Sequence, residues 1–157
     1  MKKIITMLVL ITTAFIQNSF AQDDLKAQPI ALLNSYYALK DALVNSNAEL
    51  AAAKAQEFLN AIDKTDQQTL NDVTRETLVK DAGAISQSKD IKLQREKFAT
   101  LSNGMFELAK SVKLSADPVY QQYCPMKKAS WLSKDKAIKN PYYGSAMLTC
   151  GSVKTTL

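Results

Sequence analysis

The sequence predicts a mainly α-helical protein: an antiparallel four-helix bundle followed by a small irregular C-terminal lobe with short β-strands. Before Asp117, apolar residues recur at three- and four-residue steps, a period typical of helices that pack side by side. After Asp117 lie three of the four prolines, the single tryptophan and four of the six tyrosines. This shift in composition indicates turns and short strands.

The first three helices are predicted from their apolar faces and their end signals. Pro29 fits the first turn of a helix, which we expect to continue through Leu43. Asn47 is the predicted N-cap of a second helix. The buried face of that helix is expected to consist of Ala51, Ala55, Phe58 and Ile62. A weaker third helix reaches about residue 87, and its apolar residues are Leu70, Val73, Leu78, Ala82 and Ile85.

The fourth helix has the clearest pattern, with Asp90 as its predicted N-cap. Apolar residues recur every seven positions at Ile91, Phe98, Met105 and Val112, with Leu101 and Leu108 between them. Gln94 is the one polar residue in this stripe. Gly104 interrupts the helix, and close contact with a neighbouring helix explains it. The stripe predicts packing at a shallow angle, as in a bundle.

The C-terminal lobe is expected to bring its first and last segments together. Residues 119–123 and residues 146–153 both have the composition of strands. The intervening Asn140-Pro141-Tyr142-Tyr143-Gly144 stretch predicts a turn, since proline fixes φ and glycine accepts positive φ. Pairing of the two segments would place Cys124 close to Cys150, the only cysteines of the chain.

The N-terminus has the features of an export signal. Lys2 and Lys3 precede a short uncharged apolar run that is followed by Ser19-Phe20-Ala21, a good cleavage site. We expect residues 1–21 to form a signal peptide, residues 22–116 the helical bundle and residues 117–157 the lobe, packed on the bundle as one domain. The mature protein is therefore expected in the periplasm, without a membrane span.

Composition excludes several classes of function. The chain has no histidine, which removes His-based triads and His-ligated zinc or haem. No arrangement of paired carboxylates is evident, so no enzymatic activity is expected. Residues 117–157 carry six basic and two acidic residues, which we interpret as solvated lysines. Nucleic acid binding is not expected of an exported protein.

Each cysteine has a methionine nearby, in Cys124-Pro125-Met126 and in Met147-Leu148-Thr149-Cys150. One interpretation is a Cys124–Cys150 disulfide, which export favours, with two methionines that fill gaps. The other is a soft-metal site, because two thiolates and two thioethers form a tetrahedral set that selects Cu(I) or Ag(I). The residues alone leave both interpretations open.

Four stretches of the chain carry a resemblance to a known family: "YYALKDALVNSN", "YQQYCPM", "WLS" and "IKNPYYGSAMLTCG". They resemble a bacterial domain-of-unknown-function family of small envelope proteins, members of which also occur fused to periplasmic adaptor subunits of copper and silver efflux pumps. The motif residues in this sequence are Tyr123, Cys124, Pro125, Met126, Trp131, Asn140, Pro141, Tyr142, Tyr143, Gly144, Met147, Cys150 and Gly151.

The resemblance implies heavy-metal handling. It favours a site formed by Cys124, Met126, Met147 and Cys150 that binds Cu(I) or Ag(I), with Trp131, Tyr142 and Tyr143 packing the lobe around the sulfurs. A metal-efflux adaptor would be a fitting partner in the envelope. The alternative is a non-catalytic interaction module whose lobe is joined by the Cys124–Cys150 disulfide.

Overall fold

A computed structural model describes residues 18–157, with side chains described from residue 28 onward. Four α-helices are followed by a three-stranded antiparallel sheet. The helices are α1 (Asn18–Val44), α2 (Ala48–Lys64), α3 (Asp72–Ser86) and α4 (Ile91–Ser111). The strands are β1 (Tyr120–Cys124), β2 (Ala129–Ser133) and β3 (Ser152–Thr156), with a short 3₁₀ helix, Gly144–Met147, before β3. Among the described helices, none is long and apolar enough to cross a membrane.

Side-chain caps begin three of the helices. The Asn47 side chain accepts a hydrogen bond from the Leu50 N–H at 2.9 Å, and the Asp90 side chain accepts one from Lys92 at 2.8 Å. Both caps were predicted from the sequence. Asn71 begins α3 in the same way. Each cap satisfies an N–H that has no partner within its own helix, so the helix starts are fixed locally.

The helices bury the faces that the periodicity predicted, most clearly in α2 and α4. In α2 the buried residues are Ala51, Ala55, Phe58 and Ile62. In α4 they are Gln94, Phe98, Leu101, Ser102, Met105 and Leu108. Gly104 lies against α3, where an added Cβ would come within 3.1 Å of Leu78 Cδ2. The glycine therefore permits the close helix contact expected of it.

Two details of the predicted helices were wrong. Helix α1 does not begin at Pro29, because the described helix already includes residues from Asn18 and contains the proline. The φ angle of proline is helical, so the helix continues through it without one hydrogen bond. Val73 is 78% exposed, although the third helix was expected to bury it. Leu70 enters the core from the loop before Asn71, so Val73 lies in the first turn of α3 and points to solvent. The predicted signal peptide, residues 1–21, lies almost entirely outside the described residues.

Gln94 occupies a core position because it satisfies three backbone carbonyls. Its amide nitrogen donates to Ala48 O at 2.9 Å, to Ile85 O at 3.3 Å and to Ser88 O at 2.6 Å. These carbonyls belong to the start of α2 and to the end of α3 and its following turn. A buried polar side chain is tolerated when it makes such bonds, so the polar residue joins three segments of the helical part.

The sheet has the order β2-β1-β3, with β1 in the centre. The predicted pairing of the first and last segments of the lobe is confirmed, since Tyr123 pairs with Ser152 in antiparallel β1 and β3. Strand β2 was not predicted, and β1 and β2 form a hairpin in which Gln122 pairs with Trp131. The expected strand over residues 146–153 was wrong in its first part, which contains the end of the 3₁₀ helix and a turn.

Tyr36 and Arg95 connect the helices to the lobe. The Tyr36 hydroxyl hydrogen-bonds Ser102 Oγ at 2.8 Å and accepts from the Leu132 N–H of β2 at 3.0 Å. The Arg95 Nε donates to Pro141 O at 2.9 Å, and its Nη2 donates to Leu43 O at 3.0 Å. Both side chains therefore position the sheet and the Asn140–Gly144 turn against the helices.

Replacement of Gly144 by alanine is expected to destabilise the fold. Gly144 has a φ of +58°, and an added Cβ would lie 2.5 Å from Ser46 Oγ and 2.8 Å from Val44 O. The left-handed conformation alone costs a residue with a Cβ about 1–2 kcal/mol. We expect Gly144→Ala to lower the free energy of unfolding by about 2 kcal/mol or more, as measured by denaturant melts.

Gly83→Ala is the matched control for this prediction. Gly83 lies in α3 with no atom within 4 Å of an added Cβ, so alanine should raise the free energy of unfolding by about 0.5–1 kcal/mol. A Gly144→Ala protein as stable as the wild type would show that the turn relaxes away from Ser46 and Val44 without loss.

Candidate thiol site

Cys124 is the last residue of β1, where the strand enters a four-residue turn. Lys128 takes a positive φ of 56° in that turn and donates its backbone N–H to Cys124 O at 2.8 Å. The next residue, Ala129, begins β2 and pairs with Cys124. The Cys124 side chain is completely buried on the face of the sheet that also carries Gln122 and Trp131.

Cys150 lies just before β3 and is held by its neighbours on both sides. Its backbone N–H donates to Met147 O at 3.1 Å, so the end of the 3₁₀ helix leads directly to the cysteine. Gly151 follows with a φ of +150°, and an added Cβ would come within 2.9 Å of Trp131 Cη2 and 3.0 Å of Tyr123 O. The chain can therefore pass close to Trp131 only because residue 151 has no side chain.

The two cysteine sulfurs are in direct contact. Cys124 Sγ and Cys150 Sγ lie 3.0 Å apart, and both residues are free thiols. The disulfide that one interpretation of the sequence expected is therefore not formed in this structure. The closeness of the two cysteines, which followed from the predicted strand pairing, agrees with the geometry.

Hydrogen bonds favour the thiolate form of Cys124. Burial raises the pKa of this thiol, but hydrogen bonds to its sulfur lower the pKa by more, so that it falls below the ordinary value. The groups that lower it are the Cys150 thiol, the backbone N–H of Lys127, the Asn140 side chain and the backbone N–H of Met126. When the pair loses one proton, the negative charge is therefore expected on Cys124 more than on Cys150.

The pKa of Cys150 changes in the opposite direction. Its hydrogen bond to Cys124 raises the pKa of the Cys150 thiol most, and burial and the Cys124 charge add to the increase. The Cys150 side chain is also partly exposed, whereas Cys124 is completely buried. The pair is therefore asymmetric both in access to solvent and in proton affinity.

Both predicted methionines contact the cysteines with backbone atoms. Met126 lies in the turn after Cys124, and its backbone N–H interacts with both sulfurs. Its side chain is 65% exposed, so the thioether is open to solvent. Met147 is partly buried at the end of the 3₁₀ helix, and its carbonyl accepts from Cys150.

Two aromatic residues of the motif belong to the same buried core cluster as Cys124. Trp131 and Tyr142 are buried and meet edge to face, with ring centroids 5.9 Å apart. The Tyr142 hydroxyl donates to Ser130 O. Tyr143 is partly buried and packs against the core.

Asn140 organises the site in a way that the sequence analysis did not predict. It is completely buried; its Oδ1 accepts from Tyr142 N and its Nδ2 donates to Cys150 O, both at 2.8 Å. The bond from the Tyr142 N–H, two residues along the chain, closes an Asx turn. The Asn140-Pro141 pair in the sequence is a signal from which this turn could have been predicted. Its amide also lowers the pKa of Cys124. Asn140 therefore connects the turn, the Cys150 backbone and the Cys124 sulfur.

A cluster of conventional hard or borderline metal ligands is absent from the described part of the chain. No three histidine, cysteine, aspartate or glutamate side chains come together there in a way that could hold a metal ion. Any metal bound at the cysteine pair would therefore need ligands of another kind, and the nearby methionines are the soft donors that the chain offers.

Comparison with known families gives one match. Residues 32–117 match the family described as protein of unknown function DUF3347, which is more than half of the chain. The chain belongs to the DUF3347 family. Searches of curated proteins and of solved structures gave no match. The DUF3347 match covers α1 from Leu32 onward and all of α2–α4 and ends before β1, so it does not extend to Cys124 or Cys150.

Proposed function

We propose that this DUF3347 protein is an exported, periplasmic protein that binds a soft monovalent metal, Cu(I) or Ag(I), through Cys124, Met126, Met147 and Cys150. The observation that carries the proposal is the contact between the two free thiols, whose sulfurs lie 3.0 Å apart. A pair of thiols in contact supplies two strong soft ligands with little movement of the backbone. No catalytic activity is part of the proposal.

The separation of the sulfurs is close to that of two ligands on one ion. With metal–sulfur bonds of about 2.3 Å, tetrahedral geometry places two thiolates about 3.8 Å apart. The pair would therefore need to open by roughly 0.8 Å, a distance within the range of side-chain rotation. The flexible methionine side chains of Met126 and Met147 could then supply the remaining thioethers, since methionine adapts its shape easily.

The charges around the pair support a monovalent rather than a divalent ion. One Cu(I) with two thiolates has a net charge of −1, and Lys127 and Lys128 are exposed in the turn beside Cys124. Their positive charges offset that negative charge. The lowered pKa of Cys124 also favours metal binding, because the thiolate and not the thiol is the ligand.

The proposal predicts that the reduced protein binds one Cu(I) per chain. Met126→Leu and Met147→Leu should each weaken the affinity about tenfold or more, since even groups that only support a metal site typically contribute that much. Leucine keeps most of the volume and apolar character, so the fold should persist. Competition with a chromophoric Cu(I) chelator under anaerobic conditions measures these affinities.

Met105→Leu is the control variant. Met105 is completely buried in α4, outside the lobe and outside both Cys-Met motifs, and its substitution should leave the Cu(I) affinity unchanged. Equal affinities for the wild type and for both lobe variants would remove the methionines from the site. Failure of the reduced wild type to compete with the chelator at all would reject Cu(I) binding.

The second candidate function is a non-catalytic interaction module joined by a Cys124–Cys150 disulfide. The observation that favours it is the exposure of Met126, an apolar residue that is 65% exposed. Oxidation of the touching sulfurs would close a loop of about 27 residues and stabilise the fold by roughly 3–4 kcal/mol. An envelope protein such as a metal-efflux adaptor would then bind the exposed turn. This candidate predicts no free thiol in exported protein isolated without reductant.

We also infer that the four helices form an antiparallel bundle. Consecutive helices are joined by short loops and pack directly on one another, α1 on α2, α2 on α3 and α3 on α4. Short connections favour antiparallel neighbours. The lobe that carries the sulfurs would then be supported by α4, which contacts β2.

A further inference from the structure

We propose that Cys124 and Cys150 form a thiol–disulfide exchange site with fixed direction, in which Cys150 bonds to the external disulfide and Cys124 resolves the mixed disulfide. The site would accept small or protein disulfides. This inference does not depend on metal binding, because it concerns only the two sulfurs, their exposure and the groups around them.

The first support is the difference in access to the two sulfurs. Cys124 is completely buried at the end of β1, whereas Cys150 is partly exposed just before the edge strand β3. Exchange requires an in-line approach of one sulfur to a disulfide, so access decides which sulfur reacts. An external disulfide can therefore meet Cys150 and not Cys124.

The second support is the position of Cys124 behind its neighbour. Its sulfur lies 3.0 Å from Cys150 Sγ, so it can attack a mixed disulfide at Cys150 without a large rearrangement. Backbone N–H groups of the turn and the Asn140 amide lie around the Cys124 sulfur and hold it in this position.

The reaction is balanced with the external disulfide as the oxidant. In the first step Cys150 sulfur, losing its proton, attacks one sulfur of R–S–S–R, forming Cys150–S–S–R and releasing R–S⁻. In the second step Cys124 sulfur, losing its proton, attacks Cys150 Sγ, forming the Cys124–Cys150 disulfide and releasing the second R–S⁻. Two thiol protons of the protein pass to the two released thiolates, so two electrons reduce one external disulfide to two thiols.

The test uses 5,5′-dithiobis-(2-nitrobenzoate), an aromatic disulfide that releases a coloured thiolate. We expect the reduced wild type to release two thiolates per chain and to retain no adduct by intact mass. Cys124→Ser should release one and keep a stable adduct at Cys150. Cys150→Ser should react at least tenfold more slowly than Cys124→Ser. In denaturant the two variants should react at equal rates, since the difference comes from the fold.

Two results would overturn the proposal. One is a folded Cys150→Ser protein, verified by its circular dichroism spectrum, that reacts as fast as Cys124→Ser. The other is a stable adduct on the wild type. Should a serine variant fail to fold, substoichiometric alkylation of the reduced wild type with iodoacetamide decides the matter by peptide mapping. Label found first on Cys150 supports the assignment, and label found first on Cys124 rejects it.

Discussion

Phe98→Ala is expected to lower the free energy of unfolding by about 3–5 kcal/mol, as large aromatic truncations in cores do. Phe98 is completely buried in α4 and stacks on the Tyr36 ring with centroids 5.3 Å apart. The Phe98 ring also meets the Tyr142 ring, with centroids 6.1 Å apart. The loss should therefore loosen both the helical core and the contact with the lobe. Urea melts followed by circular dichroism measure the change.

Phe106→Ala is the matched control, since it is the same truncation in the same helix. Phe106 is only partly buried, and the Lys110 ammonium lies 5.4 Å from its ring centroid. Because less surface is lost, we expect a decrease of about 1 kcal/mol. If the two variants are equally stable, the buried face of α4 is not the one that contains Phe98.

The helices that the sequence predicted best have two local signals, a capping side chain at the start and a regular apolar stripe along one face. In α2 and α4 a capping side chain fixes the start, and a regular apolar stripe fixes the buried face. Both features depend on residues within a few positions of one another, so they can be recognised without knowledge of the fold. The buried Gln94 also fits the stripe, although its three carbonyl partners are visible only in the folded chain.

The errors arise where distant contacts override the local pattern. Val73 has the apolar character of a core residue, yet the turn that buries Leu70 directs Val73 to solvent. Strand β2 is short and lies in a segment rich in polar residues, and its position is fixed by pairing with β1 and by the Tyr36 hydroxyl. A five-residue strand of this kind has too weak a pattern to be separated from a loop by sequence alone.

The closeness of the two cysteines could be predicted, but the asymmetry between them could not. Their contact follows from pairing of the first and last lobe segments, for which the composition gave a signal. Burial of Cys124 and partial exposure of Cys150 depend on the packing of the hairpin turn and of the segment that contains Asn140. The donors around the Cys124 sulfur come from that turn and from the distant Asn140, so their effect appears only in the folded lobe.

Asn140→Ala is expected to destabilise the protein by about 2–6 kcal/mol, because it leaves one buried and one partly buried backbone group without partners at about 1–3 kcal/mol each. These groups are the N–H of Tyr142 and the carbonyl of Cys150. The substitution also removes one of the hydrogen bonds that lower the pKa of the Cys124 thiol. In the protein that remains folded, this pKa should therefore rise.

Asn103→Ala is the control, since Asn103 is exposed on α4 and the same change there should alter stability by less than about 0.5 kcal/mol. Denaturant melts measure the stability of both variants, and the pH dependence of thiolate absorbance near 240 nm, measured in a Cys150→Ser background, reports the Cys124 pKa. That background also lacks the Cys150 thiol as a donor, so the comparison is between Cys150→Ser alone and Cys150→Ser with Asn140→Ala.

A thiol pKa that does not change while stability falls would mean that Asn140 supports the turn but not the thiolate. Unchanged stability would contradict the role of Asn140 in joining the Asn-Pro turn to Cys150, because both backbone groups would then have found other partners.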